Sequence, residues 1–247
     1  MNSNLSKFQS ATVFILTKDE TNLLRKTISK ITSSDNFMDI SRIIIVAKNT
    51  VCDGFVEAQR IVEEDSSGKI TLYIQKAPTI ELCLYELPPL VEGSHFIIMA
   101  ADMEMNPDEV SNLIDEAKIN PDTIICAAKW RKGSVVEGYN KIHEIGSRAV
   151  NVFTGLVYGK NIKDPFSIYQ IYPMSVYKAL KFRDPVLFGY EYTVKALRNG
   201  IPYKEIPTKY TKRTEGKSHV DIIKLVKMAT LFCWVAVKTR FSEKVLK

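Results

Sequence analysis

Apolar residues in this chain fall in short runs separated by stretches of helical pattern. Residues 11–16 (ATVFIL), 41–46 (SRIIIV), 70–74 (ITLYI), 96–99 (FIIM) and 123–128 (TIICAA) are compact, rich in strand formers, and read as buried strands. Between them, Leu23, Leu24, Ile28 and Ile31 recur at helical spacing, and residues 55–64 and 107–119 read as further helices, the latter with Asp108 and Glu109 in a first turn that favours acids. Residues 79–91 read as a helix around Leu82, Leu84 and Leu87, interrupted by Pro88-Pro89. Alternating strands and helices with short connections predict a mostly parallel sheet covered on both faces. Later, a basic loop (WRKGS) leads into a helix with small and apolar residues on one face, Asp164 to Ser167 punctuate the chain, residues 192–198 read as a helix, and the proline-broken residues 202–210 read as an edge strand.

The stretch FIIMAADMEMNP, residues 96–107, concentrates the candidate chemistry. A buried strand turns abruptly acidic at Asp102 and Glu104 before breaking at Pro107. Ligands of open α/β sheets sit outside the carboxyl ends of the strands, and two acids two positions apart share one side of an extended chain. Such a pair of hard oxygen ligands suits a divalent cation held against a diphosphate; a solvated loop and helix cap is the plainer alternative.

At 247 residues the chain is long enough for a substantial core, and the absence of a linker or internal repeat makes one domain with a C-terminal extension the simplest partition. The net charge of +6 favours anionic partners. Nucleic acid is the poorest of these, because the basic residues do not gather in a basic-aromatic stripe. Cys52, Cys83, Cys126 and Cys233 are scattered, which argues against a zinc site or disulfide framework and suits small core residues in a reducing compartment. The N-terminus lacks signal-peptide features, and no apolar run reaches the ~18 residues of a membrane span, so the expected location is cytoplasmic.

The tail has a different composition. Residues 221–247 set Lys224, Lys227, Lys238 and Arg240 around an apolar stretch containing Phe232 and Trp234, which suits a helix lying in a headgroup region. Packing on its own domain or on a second subunit, as in a homo-oligomer, is the alternative.

The order of these features resembles the family 2 glycosyltransferases of GT-A fold, in the branch of dolichyl-phosphate mannosyltransferases and polyprenyl-phosphate glycosyltransferases. The motifs are VFILTKDETNLLRKTI, FIIMAADMEMNPDEV, AAKWRKGS, SRAVNVF with DPFSIYQIY, FGYEYTVKALRNG, IPTKY and KRTEGKSHV, and they run through nearly the whole chain. The resemblance implies an α/β GT-A fold, with a mostly parallel central sheet flanked by helices, over residues 1–220 and a basic amphipathic helix over 221–247. It implies transfer of a sugar from a nucleotide-sugar donor to a lipid (polyprenyl) phosphate by an enzyme peripheral on the cytoplasmic face of the membrane.

For the site, the resemblance places Glu20 near the nucleotide base and Mg²⁺ or Mn²⁺ on Asp102 and Glu104, with Asp102 catalytic through that cation. Arg213, Lys217 and Ser218, on a glycine-containing loop, would clamp the diphosphate, and Arg guanidinium suits bidentate phosphate contact. A lipid phosphate is already an anionic nucleophile and needs cationic contacts more than a base; Arg131, Lys132, Ser147 and Arg148 fit that role. Glu191 would orient a sugar hydroxyl or the metal. With a saccharide acceptor, as in polysaccharide synthesis, it would be the first candidate base. His143 stands where the family tends to place an Arg, and Asp164 and Ser167 shape the turn bordering the site. Two departures keep open a third reading, a catalytically silent GT-A protein that binds a nucleotide, glycan or partner. The first acid of Asp-x-Asp is Ala100, and Lys48-Asn49 stand where an acidic pair is expected.

Overall fold

The computed structural model describes residues 7–180, 187–212 and 222–245. Its first half is a run of βα units: β1 (Ala11–Thr17), α1 (Asn22–Thr32), β2 (Ile40–Ala47), α2 (Asp53–Glu64), β3 (Ile70–Ile74), the single turn α3 (Ile80–Cys83), β4 (His95–Ala100), α4 (Glu109–Ile119) and β5 (Ile124–Ala128). The helix expected over 79–91 shrinks to α3 and a 3-10 turn at Pro88–Leu90, because prolines there supply no N–H to continue the ladder. The second half comprises β6 (Val135–Glu137), α5 (Lys141–Tyr158), β7 (Gln170–Pro173), α6 (Met174–Ala179), α7 (Phe188–Arg198), β8 (Tyr203–Pro207), β9 (Lys209–Thr211) and α8 (Ile222–Arg240). α7 begins four residues before the helix read from the sequence.

One seven-stranded sheet runs in the order β3-β2-β1-β4-β7-β5-β8, and β6 and β9 form a separate two-stranded ribbon. Every pairing in the large sheet is parallel except those of β7, which runs antiparallel to β4 and β5. Reversal of β7 puts the loop before it, residues 159–169, at the same edge as the carboxyl ends of β4 and β5. β8 is an edge strand, a position that suits Pro207 at its end.

The apolar runs are continuous because the sheet is buried on both faces. Val13, Ile15, Ile43, Ile45, Ile97 and Met99 meet α1, α2 and α4 on one face, and the alternate Phe14, Ile44, Val46, Phe96 and Ile98 meet α3, α6 and α7 on the other. Register keeps the layers aligned, with Val13 opposite both Ile43 and Ile97. Each such side chain contributes about 1.5–3 kcal/mol of burial. A third cluster joins α5, α7 and α8 through Tyr158, Tyr190, Val194, Val235 and Ala236. Cys52, Cys83 and Cys126 are buried and Cys233 half-buried, all as free thiols.

His95 opens β4 at the edge opposite the carboxyl ends. It is buried between Ser94, at 2.8 Å from Nδ1, and the Pro121 carbonyl, which accepts from Nε2 at 2.8 Å. Burial lowers its pKa from 6.5, and the Pro121 carbonyl and Asp122 offset this only in part. The unfolded chain therefore binds this proton more readily. His95 contributes full stability above about pH 6.5 and progressively less as the pH falls through that value towards its folded pKa. Urea unfolding at pH 7.5 and 5.0 should show the loss, and His95→Gln should reduce the difference between the two.

Candidate functional site

The carboxyl edge of the sheet is built from three neighbouring parts. A pocket of about 330 Å³ lies at the ends of β1, β2 and β3, with Leu16 and Ile80 as apolar walls and Glu20, Lys48 and Gln75 as polar groups. Its volume and mixed lining suit a heterocycle with part of a ribose. The Glu20 carboxylate folds back to accept the Lys18 N–H at 2.7 Å and the Thr17 hydroxyl at 3.2 Å, which fixes the turn after β1. The Lys48 N–H donates to the Thr17 carbonyl at 3.2 Å, so the departure from the expected acidic pair sits inside this pocket.

Gly54 holds the same turn by close approach. Its N–H donates to the Lys18 carbonyl at 2.9 Å, and a Cβ there would lie 2.4 Å from Thr17 Oγ1 and 2.8 Å from the Lys18 carbonyl oxygen. Gly54→Ala should push the β1 turn away from α2, costing about 1–3 kcal/mol. Nucleotide affinity should weaken with it, both readable by denaturation and by calorimetry.

Next along the edge, β4 delivers the acids. Ala101 is buried and donates to the Leu16 carbonyl at 2.9 Å, while Ala100 and Asp102 are half-buried. Asp102 Oδ1 accepts the Glu104 N–H at 3.1 Å, and Met103 takes a positive φ of 59°. The acids thus sit on a tight turn closed by Asp102 itself, not on one side of an extended strand. A local side-chain acceptor stabilises that turn better than continued pairing would. The turn is clamped from outside: Tyr169 donates to the Asn106 carbonyl at 2.7 Å, Met105 bridges Tyr210, and the Thr211 N–H reaches the Glu104 carbonyl at 3.4 Å. Burial, followed by the charge of Glu104 and its hydrogen bond to the phenol, pushes Tyr210 well above its ordinary pKa.

Two carboxylates on one turn are the hard-oxygen set that Mg²⁺ or Mn²⁺ shares with phosphates and waters. Among the described residues no group of three or more His, Cys, Asp or Glu is placed to hold a metal.

Beyond β5 lies a second pocket, also about 330 Å³, with Lys129, Arg131, Lys141 and Arg148 on its walls against one acid among the described residues, Glu144. Arg148 stacks over Trp130 at 4.6 Å and is oriented by Glu144 at 2.8 Å. Trp130, Tyr139 and Tyr210 make edge-to-face contacts at 5.2 Å, forming an aromatic wall from this pocket to the acid turn. Lys129 is fixed from behind by Asp164, which is fully buried; one carboxylate oxygen takes the Lys129 N–H at 3.0 Å and its ammonium at 3.2 Å. Burial acts to lower the Lys129 pKa, but the charge and hydrogen bond of Asp164, with the nearby Tyr139 and Cys126, together more than offset it, and the ammonium is held above its usual value. Glu205 accepts the N–H groups of Lys163 at 2.7 Å and Asp164 at 2.9 Å and lies 3.9 Å from Arg131.

Of the residues expected at an acceptor site, Arg131 and Arg148 meet in this pocket. Lys132 is exposed and Ser147 half-buried, and neither lines it. Lys129, Trp130, Tyr139 and Lys141 line the pocket but escaped the sequence reading; their signal was the interleaving of basic and aromatic residues in KWRKGSVVEGYNK. Glu191 is buried on α7, accepting from Tyr85 at 3.1 Å and paired with Lys195, and lines neither pocket. His143 lies half-buried in the first turn of α5, its N–H on the Asn140 cap. Ser167 accepts the Tyr169 N–H at 3.2 Å, in keeping with a turn-shaping role. Arg213, Lys217 and Ser218 lie outside the described residues.

No protein-family model matches this sequence. Among solved structures, the chain is similar to glucosyl-3-phosphoglycerate synthase from Mycobacterium tuberculosis in complex with uridine diphosphate, with a TM-score of 0.68 and 11% identity over 94% of this chain and 80% of that one. The same enzyme with Mn²⁺, uridine diphosphate and glucosyl-3-phosphoglycerate gives 0.68 and 10% over the same shares. With Mn²⁺, UDP-glucose and phosphoglyceric acid it gives 0.67 and 10%, again over 94% and 80%. At these identities the likeness is one of fold: this chain, with its mostly parallel sheet flanked by helices, has the GT-A glycosyltransferase fold.

Proposed function

We propose that this chain is a metal-assisted glycosyltransferase that moves a sugar from a nucleoside-diphosphate donor to an acceptor carrying a phosphate. The observation that carries the reading is the order of parts along one sheet edge: a nucleoside-sized pocket at β1–β3, paired acids after β4, and a pocket rich in cations after β5. In this reading Glu20 and Gln75 meet the base and Asp102 and Glu104 hold the cation. When bound, that cation would neutralise charge developing on the leaving diphosphate. Lys129, Arg131 and Arg148 would hold the acceptor phosphate, whose oxygen attacks the anomeric carbon as the bond to the diphosphate breaks and the diphosphate leaves with the electron pair. Such an acceptor needs no strong base, and the buried, ion-paired setting of Glu191 accords with that.

A polyprenyl phosphate is the acceptor we favour, because α5, which supplies Lys141 and Arg148 to the basic pocket, also carries the exposed Ile142, Ile145 and Leu156. A soluble phosphorylated acid is the second reading, favoured by the phosphoglyceric acid in complexes of the M. tuberculosis enzyme. Transfer should be assayed over a panel of nucleotide sugars with Mn²⁺ or Mg²⁺, with a short polyprenyl phosphate and with phosphoglycerate. Metal-dependent transfer to the lipid phosphate is expected. Transfer only to phosphoglycerate selects the second reading, and neither transfer nor donor hydrolysis with any donor refutes the enzyme.

A further inference from the structure

From the joint outer surface of α5 and α8 we infer a docking face for an anionic phospholipid surface, with α5 as the element that brings the basic pocket to it. The exposed apolar residues of α5 are Ile142, Ile145, Ala149, Val152 and Leu156, spaced three and four apart as one stripe. Ile145 is 70% and Leu156 78% exposed, unusual for aliphatic side chains in a row on one helix. α8 packs beside it through its inner face: Val235 and Ala236 are buried, Ala236 carbonyl accepts from Tyr158 at 3.1 Å, and Phe232 stacks on Phe166 at 5.5 Å. Its outer face carries Val226, Trp234, Val237 and, just past its end, Phe241, all exposed.

Charge selects the occupant. α8 contains four basic residues (Lys224, Lys227, Lys238 and Arg240) and no acid. Lys238 lies over the exposed Trp234 ring at 5.2 Å, an apolar body beneath a cationic head. On α5 the one acid near the stripe, Glu144, is tied to Arg148. An apolar surface flanked by Lys227, Lys238 and Arg240, which make no ion pair among the described residues, complements lipid tails and anionic headgroups. Twofold pairing with a second copy would set basic residues against basic residues, at a cost.

The stripe also begins at the mouth of the basic pocket. Lys141, Glu144 and Arg148 line that pocket, and Ile142 and Ile145 lie between them in sequence on the same helix. Seating α5 on a bilayer would present the pocket to a phosphate borne by the membrane. This orientation rests on the acceptor role proposed above; the docking itself does not.

The test is co-sedimentation of the full chain with vesicles of phosphatidylcholine, alone or with phosphatidylglycerol. The expected result is binding only to the anionic vesicles, weakened by salt, and reduced at least tenfold in the doubly substituted Ile145→Asp/Leu156→Asp protein with unchanged circular dichroism. No binding by the wild type, or equal binding by the double variant, overturns the proposal. A concentration-dependent dimer dissolved by the same substitutions, without vesicle binding, assigns the face to a second copy and also overturns it. Sugar transfer to a soluble phosphate acceptor is measured in parallel. Vesicle binding by a protein that transfers to no acceptor supports the docking face and refutes the catalytic reading.

Discussion

Asp102→Asn is expected to lower metal-dependent transfer by about 10²–10³-fold, the scale on which enzymes lose rate when one electrostatic stabiliser of developing charge is removed. The substitution isolates charge from structure. Asp102 Oδ1 accepts the Glu104 N–H at 3.1 Å, and the Asn carbonyl oxygen can accept the same bond, so the turn through Met103 should persist and stability should move by no more than about 0.5 kcal/mol. Steady-state rates over a Mn²⁺ titration, read beside a urea denaturation curve, check both halves. Full activity in the variant would remove Asp102 from the mechanism; collapse of the fold would make it a structural residue. The half-buried Ala100 beside it offers the converse test, since Ala100→Asp adds a carboxylate at the strand end and should tighten Mn²⁺ binding.

Lys129→Met should destabilise the protein by about 3–5 kcal/mol, the usual cost of stripping one partner from a buried ion pair. Asp164 is fully buried, its Oδ2 is shared between the Lys129 N–H and ammonium, and its Oδ1 has no hydrogen-bond partner among the described residues. Without the ammonium, one backbone N–H is left as the hydrogen-bond donor to that buried carboxylate among the described residues. The double variant Lys129→Met/Asp164→Asn should recover part of the loss, and the coupling energy of the four-protein cycle measures the pair directly. A change below about 0.5 kcal/mol in the single variant would show that the pair adds nothing. The same ammonium lines the basic pocket, so weaker phosphate binding should accompany the loss of stability.

The sheet was legible because its strands are buried on both faces: runs such as SRIIIV and FIIM have no other comfortable environment. The small ribbon of β6 and β9 was not, since three-residue strands with exposed Val135 and Lys209 carry almost no periodic signal. Placing the acids at the end of β4 needed only the apolar-to-acidic switch after Met99. Their arrangement did not follow from spacing, because a side-chain hydrogen bond and a positive φ at Met103 override the extended chain. Arg131 and Arg148 were legible as cations. That they converge depends on the crossover from β5 to α5, which no local pattern encodes. Glu191 illustrates the reverse: an acid in a suggestive motif whose partners, Tyr85 and Lys195, bind it into the interior.

Every step of the proposed transfer depends on this sheet edge binding a nucleoside diphosphate together with a divalent cation. Calorimetric titration of uridine, guanosine and other nucleoside diphosphates into the full chain, with and without Mn²⁺, tests it most directly. At least one diphosphate is expected to bind in a manner that depends on Mn²⁺, and that binding is expected to be lost in Asp102→Asn. Binding of none of them, or binding indifferent to both Mn²⁺ and Asp102, would contradict it.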